Sequence, residues 1–413
     1  MKKIIIITSH PIQYQVPLFK LLTLKEEMDL RVHFCWDFGV GGNNKDKEFG
    51  RIIEWDIPLF DGYRYKFLKN YSLKPSSDFW GQINFSVISE LRKERPDALL
   101  IFGWNSFTNW LAFFTAFSLG IKVFLRGESP LNQELLKPKW KIGIKKFILK
   151  PLFSRVYKLL YIGYENKKFY EYYGVPEEKL VFVPYAVDNK RFMAVSESLK
   201  ANRKELREKL LGIKDERPVI LFVGKLISKK RPMDLLRAYE LLIISAQGAR
   251  LPDGQGSASG GKYQQLKTNN YSLVFVGDGE LRSELEKYAK EHDLKNVHFA
   301  GFKNQTELPQ YYTVADMFVL PSGPGETWGL VVNEAMCFGL PVVVSDIVGC
   351  VTDLVYEGEN GYVVPLGDVR KLSDALSMLL KNDREKFGKK SFEIIQGYSF
   401  EEESKNILSI VNI

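Results

Sequence analysis

Cysteine is scarce in this chain: three residues in 413, at Cys35, Cys337 and Cys350. That number and scatter exclude a disulfide framework, and with four histidines no CxxC or Cys/His grouping has metal-ligand spacing. A reducing, cytoplasmic setting fits this usage. Long apolar runs are missing too, so no transmembrane helix is expected. The opening "MKKIIIITSHPIQ" has only a short apolar run and no small-residue cleavage site, and it leads into a strand-turn-helix pattern. It reads as a buried first strand, not a signal peptide. Acidic residues fall short of basic ones, 50 against 58, leaving a formal charge of +8. Such an excess suits an anionic partner (nucleotide phosphate, nucleic acid or an acidic membrane surface) or simply a soluble basic protein.

What the chain does have is a globular composition, 45% hydrophobic and 26% charged, and enough length for two or three domains. Short β-branched runs ("KKIIIITS", "LRVHFCW", "DALLIFGW", "KVFLRGES", "KLLYIGY", "KLVFVPYA") alternate with helix-like segments, the signature of a parallel sheet covered on both faces. From Asp188 to Glu216 the pattern lapses into a charged stretch, read as a linker followed by a helix. It restarts at "RPVILFVGKL" and continues through "SLVFVGDGE", "NVHFAGF", "DMFVLPS", "LPVVVSD" and "GYVVP". The expectation is α/β, with two doubly wound, Rossmann-like domains facing each other and ligands outside the C-terminal strand ends. The first would span 1–195 and the second 196–397, with a mobile Gly/Ser/Gln-rich insertion at about 246–270 and a capped tail helix at 398–413. Spacing leaves open whether that helix pads its own domain or crosses to the other.

The second domain carries the clearest chemistry. In "FVGKLISKKRP", Lys225 follows a strand-ending glycine and Lys230 lies near the next helix, so two ammonium groups could clamp a diphosphate, or form a solvated basic turn. In "VGDGE", Gly277 and Gly279 read as turn glycines that let a ligand come close. The segment "GPGETWGLVVNEAMCFGLPVVVSD" is a loop, a helix and a strand. Its helix N-terminus aims amides toward the ligand edge. Glu326 precedes that terminus and Glu334 sits inside the helix, so the two carboxylates can grip different parts of one extended ligand. A carboxylate accepts paired hydrogen bonds from vicinal hydroxyls. Flanks of "LVV" and "AM" place Glu334 in a mostly buried helix rather than on an exposed face.

These segments, with "VHFAGF" and "KLVFVPYAVDNKRF", resemble the retaining glycosyltransferases of family 4, from about Tyr161 to the C-terminus. The resemblance implies the GT-B fold, two Rossmann-like domains facing across a cleft, with the C-terminal helix crossing back to the first. It implies a nucleotide-diphosphate sugar donor, such as a UDP- or GDP-sugar, held by the second domain. Glu334 would hold the ribose and Glu326 the transferred sugar. Amides around Gly329, Leu330 and Val331 would meet sugar and diphosphate, and Gly301 and Phe302 would face the base. Lys225 and Lys230 would neutralise the leaving diphosphate, although the family usually has Arg where Lys225 stands, which exchanges a fork for a point charge. No Asp-x-Asp triplet occurs, in keeping with a metal-independent reaction. The acceptor would be a glycan or lipid-linked glycan, in cell-surface polysaccharide or lipopolysaccharide synthesis.

The first domain is less legible. His10, Gln13 and Tyr14 follow the first strand at a strand-to-helix turn, where His10 could handle a proton or cap the turn structurally. The glycine-rich loop many relatives carry there is absent. "FLRGESP" stands where many relatives have a His-rich turn, so Arg126 and Glu128 are acceptor-binding candidates by position alone. "KPKWKIGIKKFILKPLFSRVYKLL", Lys137 to Leu160, is basic, acid-free and interleaved with apolar residues. It reads as a surface for an anionic membrane or as an ordinary solvated face, with at most a short helix because Pro138 and Pro151 interrupt it. A sugar-nucleotide epimerase and a non-enzymatic nucleotide-sugar binder are the rival readings. No nucleic-acid-binding module is recognisable.

Overall fold

A computed structural model describes residues 1–40, 45–46, 51–52, 55–246 and 270–411. All but the ends of the 246–270 insertion lie outside the described residues. The chain divides into two compact units. The first comprises Met1–Lys45, Ile52–Asp188 and Gly397–Ile413; the second comprises Asp46–Arg51 and Asn189–Gln396.

The strands in chain order are β1 (Lys2–Thr8), β2 (Met28–Phe34), β3 (Lys45–Asp46), β4 (Arg51–Ile52), β5 (Arg64–Phe67), β6 (Ala98–Phe102), β7 (Lys122–Arg126), β8 (Lys158–Tyr161), β9 (Leu180–Phe182), β10 (Val219–Val223), β11 (Ser272–Val276), β12 (Val297–Gly301), β13 (Met317–Leu320), β14 (Val342–Ser345) and β15 (Gly361–Val364). The first unit holds a parallel sheet of order β5-β2-β1-β6-β7-β8-β9. The second holds one of order β12-β11-β10-β13-β14-β15, also parallel. In each, the chain runs outward on one side of the first strand and later restarts on the other. That creates a switch point, between β1 and β6 in one unit and between β10 and β13 in the other, and ligand sites form at the carboxyl ends of such strands.

Burial on both faces explains the continuous apolar strands. In β1, Ile5 and Ile7 enter one core while Ile4 and Ile6 enter the other, as the period of two requires. The first core is covered by the helices Phe107–Ser118 and Lys139–Arg155, the second by Val16–Thr23 and the tail helix Phe400–Val411. Phe400, Ile407, Ile410 and Val411 thus complete the first unit's core, 200 residues after its last strand in rough terms. Ser399 caps this helix by accepting from the Glu402 amide at 3.4 Å.

Two local expectations need correction. The charged stretch after Asp188 is two helices, Asn189–Lys200 and Arg203–Leu211, not a linker and one helix. Most of its charges are exposed, but two arginines act as tethers: Arg191 binds Gln305 Oε1 at 2.7 Å, and Arg203 binds Asp316 at 2.8 Å and the Thr313 carbonyl at 2.9 Å. The second unit therefore opens at Asn189. Likewise, Lys139–Arg155 is one 17-residue helix with Pro151 inside it. Pro138 stands at the N-cap, where no intrahelical bond is lost. Pro151 costs only the bond to the Phe147 carbonyl, on the helix's solvent side. Among the described residues no helix is long and apolar enough to cross a membrane.

Candidate functional site

The second unit's switch point is a clamped loop. β13 runs into Pro321–Glu326, which lies against the Ser228–Lys230 turn that follows β10. The Gly323 amide donates to the Lys229 carbonyl at 2.7 Å, and Lys229 Nζ donates to the Gly325 carbonyl at 2.9 Å. From the other side the Gly349 and Cys350 amides reach the Glu326 and Trp328 carbonyls at 3.2 and 3.1 Å. Gly349 must be glycine, since a Cβ there would stand 1.7 Å from the Thr327 oxygen. Gly329, at φ 97°, is the left-handed N-cap of the helix Leu330–Cys337, and a Cβ would meet Leu320 at 2.9 Å. The amides of Leu330 and Val331 open this helix, where no residue of the preceding turn can accept from them.

Within this frame Lys230 and Glu326, distant in sequence, form an ion pair. Each is mostly but not wholly covered, so the pair is reachable by a ligand and only modestly desolvated. Lys225 is half-buried at the end of β10. Glu334 is fully buried, which removes the exposed-helix reading, and Tyr312 donates its hydroxyl to the Glu334 carboxylate at 2.7 Å. Tyr312 in turn stacks on Phe338 with centroids 5.3 Å apart. Sequence reasoning missed both Tyr312 and Lys229, since neither lies in a recognisable spacing with the glutamates. Gly301 ends β12 at φ 72°, and its carbonyl accepts from the Gly277 amide at 2.9 Å; Phe302 beside it is half-buried.

Gly277 and Gly279 are also required by packing. A Cβ on Gly277 would lie 1.9 Å from the Gly224 oxygen, and one on Gly279 would lie 2.5 Å from the Leu226 oxygen. These glycines let the chain segments after β10 and β11 pack against each other, which fixes where Lys225 begins.

In the first unit, the turn after β1 carries His10, Gln13 and Tyr14, all half-buried. His10 sits edge-on to Trp36 and Phe38, with centroids 5.8 and 5.3 Å away, and its Nδ1 lies 2.9 Å from Ser9 Oγ. Burial pulls its pKa down to about 4, so the ring is neutral at pH 7. The turn is pinned by a residue the sequence reading passed over: Gln15 is buried and accepts from the Thr8 hydroxyl at 3.1 Å.

Arg126, an acceptor candidate by position, is buried in a charge cluster, and Glu128, the other candidate, is half-buried beside it. Arg126 is 2% exposed and lies 3.1 Å from Glu403 of the tail helix, itself buried. Its guanidinium also lies over the rings of Tyr185 and Phe102, at 4.7 and 5.2 Å. Burial raises the Glu128 pKa against the opposing pull of Arg126 and of Tyr185, its hydrogen-bond partner. Burial likewise lifts Glu403 to about 7, with Arg126 opposing and Glu128 reinforcing. The signal available in the sequence was the tail's acidic "EEE", which gives no hint that one member is internal.

Residues 202–393 match the family profile described as Glycosyl transferases group 1. The second unit is a group 1 glycosyltransferase domain. The clamped loop, Lys230, Glu326 and Glu334 all lie within the matched stretch of this group 1 domain. Among curated relatives, the Escherichia coli UDP-Gal:alpha-D-GlcNAc-diphosphoundecaprenol alpha-1,3-galactosyltransferase is 30% identical over 203 residues, covering 48% of this chain and 44% of that enzyme. The chain thus spans less than half the length of that relative. Among solved structures, Anabaena HepE in complex with UDP superposes with a TM-score of 0.72 at 15% identity, over 100% of both chains. WaaG, a glycosyltransferase involved in lipopolysaccharide biosynthesis, gives 0.64 at 14% identity over 99% of both. At such identities the likeness establishes the fold: GT-B, with two Rossmann-like domains, as the resemblance implied.

Proposed function

We propose that this protein is a retaining glycosyltransferase that moves a sugar from a nucleotide-diphosphate donor to a glycan or lipid-linked acceptor. The observation that carries the reading is the Lys230–Glu326 pair beside the helix N-terminus at the β10/β13 switch point. A cation, a carboxylate and opening amides within one rigid frame match a ligand that is anionic at one end and rich in hydroxyls at the other. Donor binding divides the pair: Lys230 turns to the diphosphate with Lys225, and Glu326 takes sugar hydroxyls. Glu334, oriented by Tyr312, holds the ribose, and the chain near Gly301 and Phe302 meets the base. Complexes of a fold neighbour with UDP and with UDP-glucose support this class of ligand.

In the reaction the bond from anomeric carbon to diphosphate oxygen breaks. The acceptor hydroxyl oxygen bonds to that carbon on the same face, and its proton passes to the departing diphosphate. Negative charge on the leaving group is met by fixed ammonium groups and amides, which require little reorganisation. No residue is assigned as a covalent nucleophile, and the reading calls for no metal. The first unit binds the acceptor, with neutral His10, Gln13 and Tyr14 as its contacts. The setting is the cytoplasm and the inner face of the cell membrane, in surface polysaccharide or lipopolysaccharide synthesis.

The test is a screen of UDP-, GDP-, ADP- and dTDP-sugars by thermal shift and by donor hydrolysis. One nucleotide sugar should stabilise the wild type and be hydrolysed slowly, and Glu326→Ala should nearly abolish turnover. A folded Glu326→Ala protein with full transfer activity would overturn the site. An epimerised nucleotide sugar as the product would support the rival enzyme class.

A further inference from the structure

The helix Lys139–Arg155 is apolar on two opposite sides. At 100° per residue, Ile142, Leu149, Leu152 and Phe153 form a buried stripe about 100° wide, the last three of them packed in the first unit's core. Trp140, Ile144, Phe147 and Ile148 form a second stripe of about the same width, roughly opposite the first. This one faces solvent: Phe147 is 82% exposed, Trp140 64% and Ile144 55%. A helix that already packs its inner face gains nothing for the fold from such an outer face, and a contiguous apolar surface in water calls for a covering partner.

The charges around the outer stripe say which partner. Lys139, Lys146 and Lys150 flank it on one side and Lys141 on the other, all exposed. No Asp or Glu occurs from Lys137 to Leu160. The nearest acid, Glu134, is buried and already occupied by Lys137, Lys145 and the Tyr173 hydroxyl, at 2.9, 2.8 and 2.7 Å. The neighbouring helix Phe107–Ser118 packs on the same core, carries no charged residue and turns Phe114 outward. One side of the sheet therefore presents large apolar side chains fringed by lysines and free of exposed acid along this helix. We propose that this surface docks the protein on an anionic lipid bilayer. Trp140 and Phe147 enter the interface while the lysine ammonium groups reach back to headgroup phosphates. The inference does not depend on the transfer reaction, though a lipid-linked acceptor would lie in the same surface.

The test uses the full chain and vesicles of phosphatidylcholine, alone or mixed with phosphatidylglycerol, read by co-sedimentation. Binding is expected only with phosphatidylglycerol, and it should weaken as salt rises. Phe147→Asp and Trp140→Asp should each lower vesicle partitioning by at least about tenfold. The double variant Lys146→Glu/Lys150→Glu should lower it less and flatten the salt dependence. Phe392→Asp, an exposed apolar position in the second unit, should change nothing. Circular dichroism and donor-induced thermal shift on the same variants should match wild type, which keeps loss of docking separate from loss of fold or of donor binding. No binding to anionic vesicles, equal binding to neutral ones, or unchanged binding by Phe147→Asp overturns the proposal. So does lipid-free self-association that Phe147→Asp abolishes, since the surface would then belong to a second copy.

Discussion

The carboxyl ends of the two sheets contrast in how they use charge. In the second unit, Lys230 and Glu326 meet in a clamped but reachable loop. In the first, Arg126 at the end of β7 is shut inside against Glu403, with the half-buried Glu128 nearby. The same architecture thus supplies one edge where charge is available to a ligand and one where charge is committed to holding the tail helix. A reachable pair should matter for chemistry and little for stability, and a buried cluster the reverse.

The largest effect expected on the reachable side is a loss of transfer rate. Lys230→Ala or Glu326→Ala should lower kcat by roughly 100- to 1,000-fold, with the melting temperature nearly unchanged. Steady-state kinetics beside a thermal melt reads both. On the buried side, Arg126→Met should cost about 3–5 kcal/mol of stability, because two carboxylates lose their buried counter-charge. Denaturant titration measures it, and a cost under about 1 kcal/mol would mean the cluster is effectively solvated and the contrast is false.

A smaller effect sharpens the donor side. Tyr312→Phe removes the hydroxyl that orients Glu334 and should weaken donor binding by about 1 kcal/mol, roughly fivefold in Kd. Calorimetry should find that loss with little change in kcat. The smallest effect is a matter of slope. Glu403 has a folded pKa raised from 4.5 to about 7, so its contribution is full below pH 4.5 and fades as pH rises through about 7. His10 and His33 are lowered from 6.5 to about 4, so theirs is full above pH 6.5 and fades on acidification toward 4. The two trends oppose each other. Glu403→Gln should therefore make stability rise more steeply between pH 4.5 and 7 than in wild type; parallel curves would show that Glu403 titrates normally.

Most of the fold was legible because strands buried on both faces announce themselves as unbroken β-branched runs, and β1 shows the pattern directly. Glu326 and Glu334 were legible because they sit on one continuous loop and helix. Their partners were not. Tyr312 reaches Glu334 from a separate helix, and Lys229 joins the loop through its backbone as well as its side chain, which no spacing encodes. The charged segment after Asp188 misled for a related reason, since Arg191 and Arg203 satisfy carbonyls and side chains more than a hundred residues away.

By itself the sequence determined the strands buried on both faces, the helix starting at Leu330, and the placing of one carboxylate before it and one within it, because local periodicity and capping fix these. Tertiary structure decided that Arg126 belongs to the tail helix, since a buried charge takes whatever counter-charge the fold brings to it. It also decided which stripe of Lys139–Arg155 is inside. Apolar residues lie on both sides of that helix, so its periodicity has no preferred face, and only packing against the sheet leaves Trp140 and Phe147 in water.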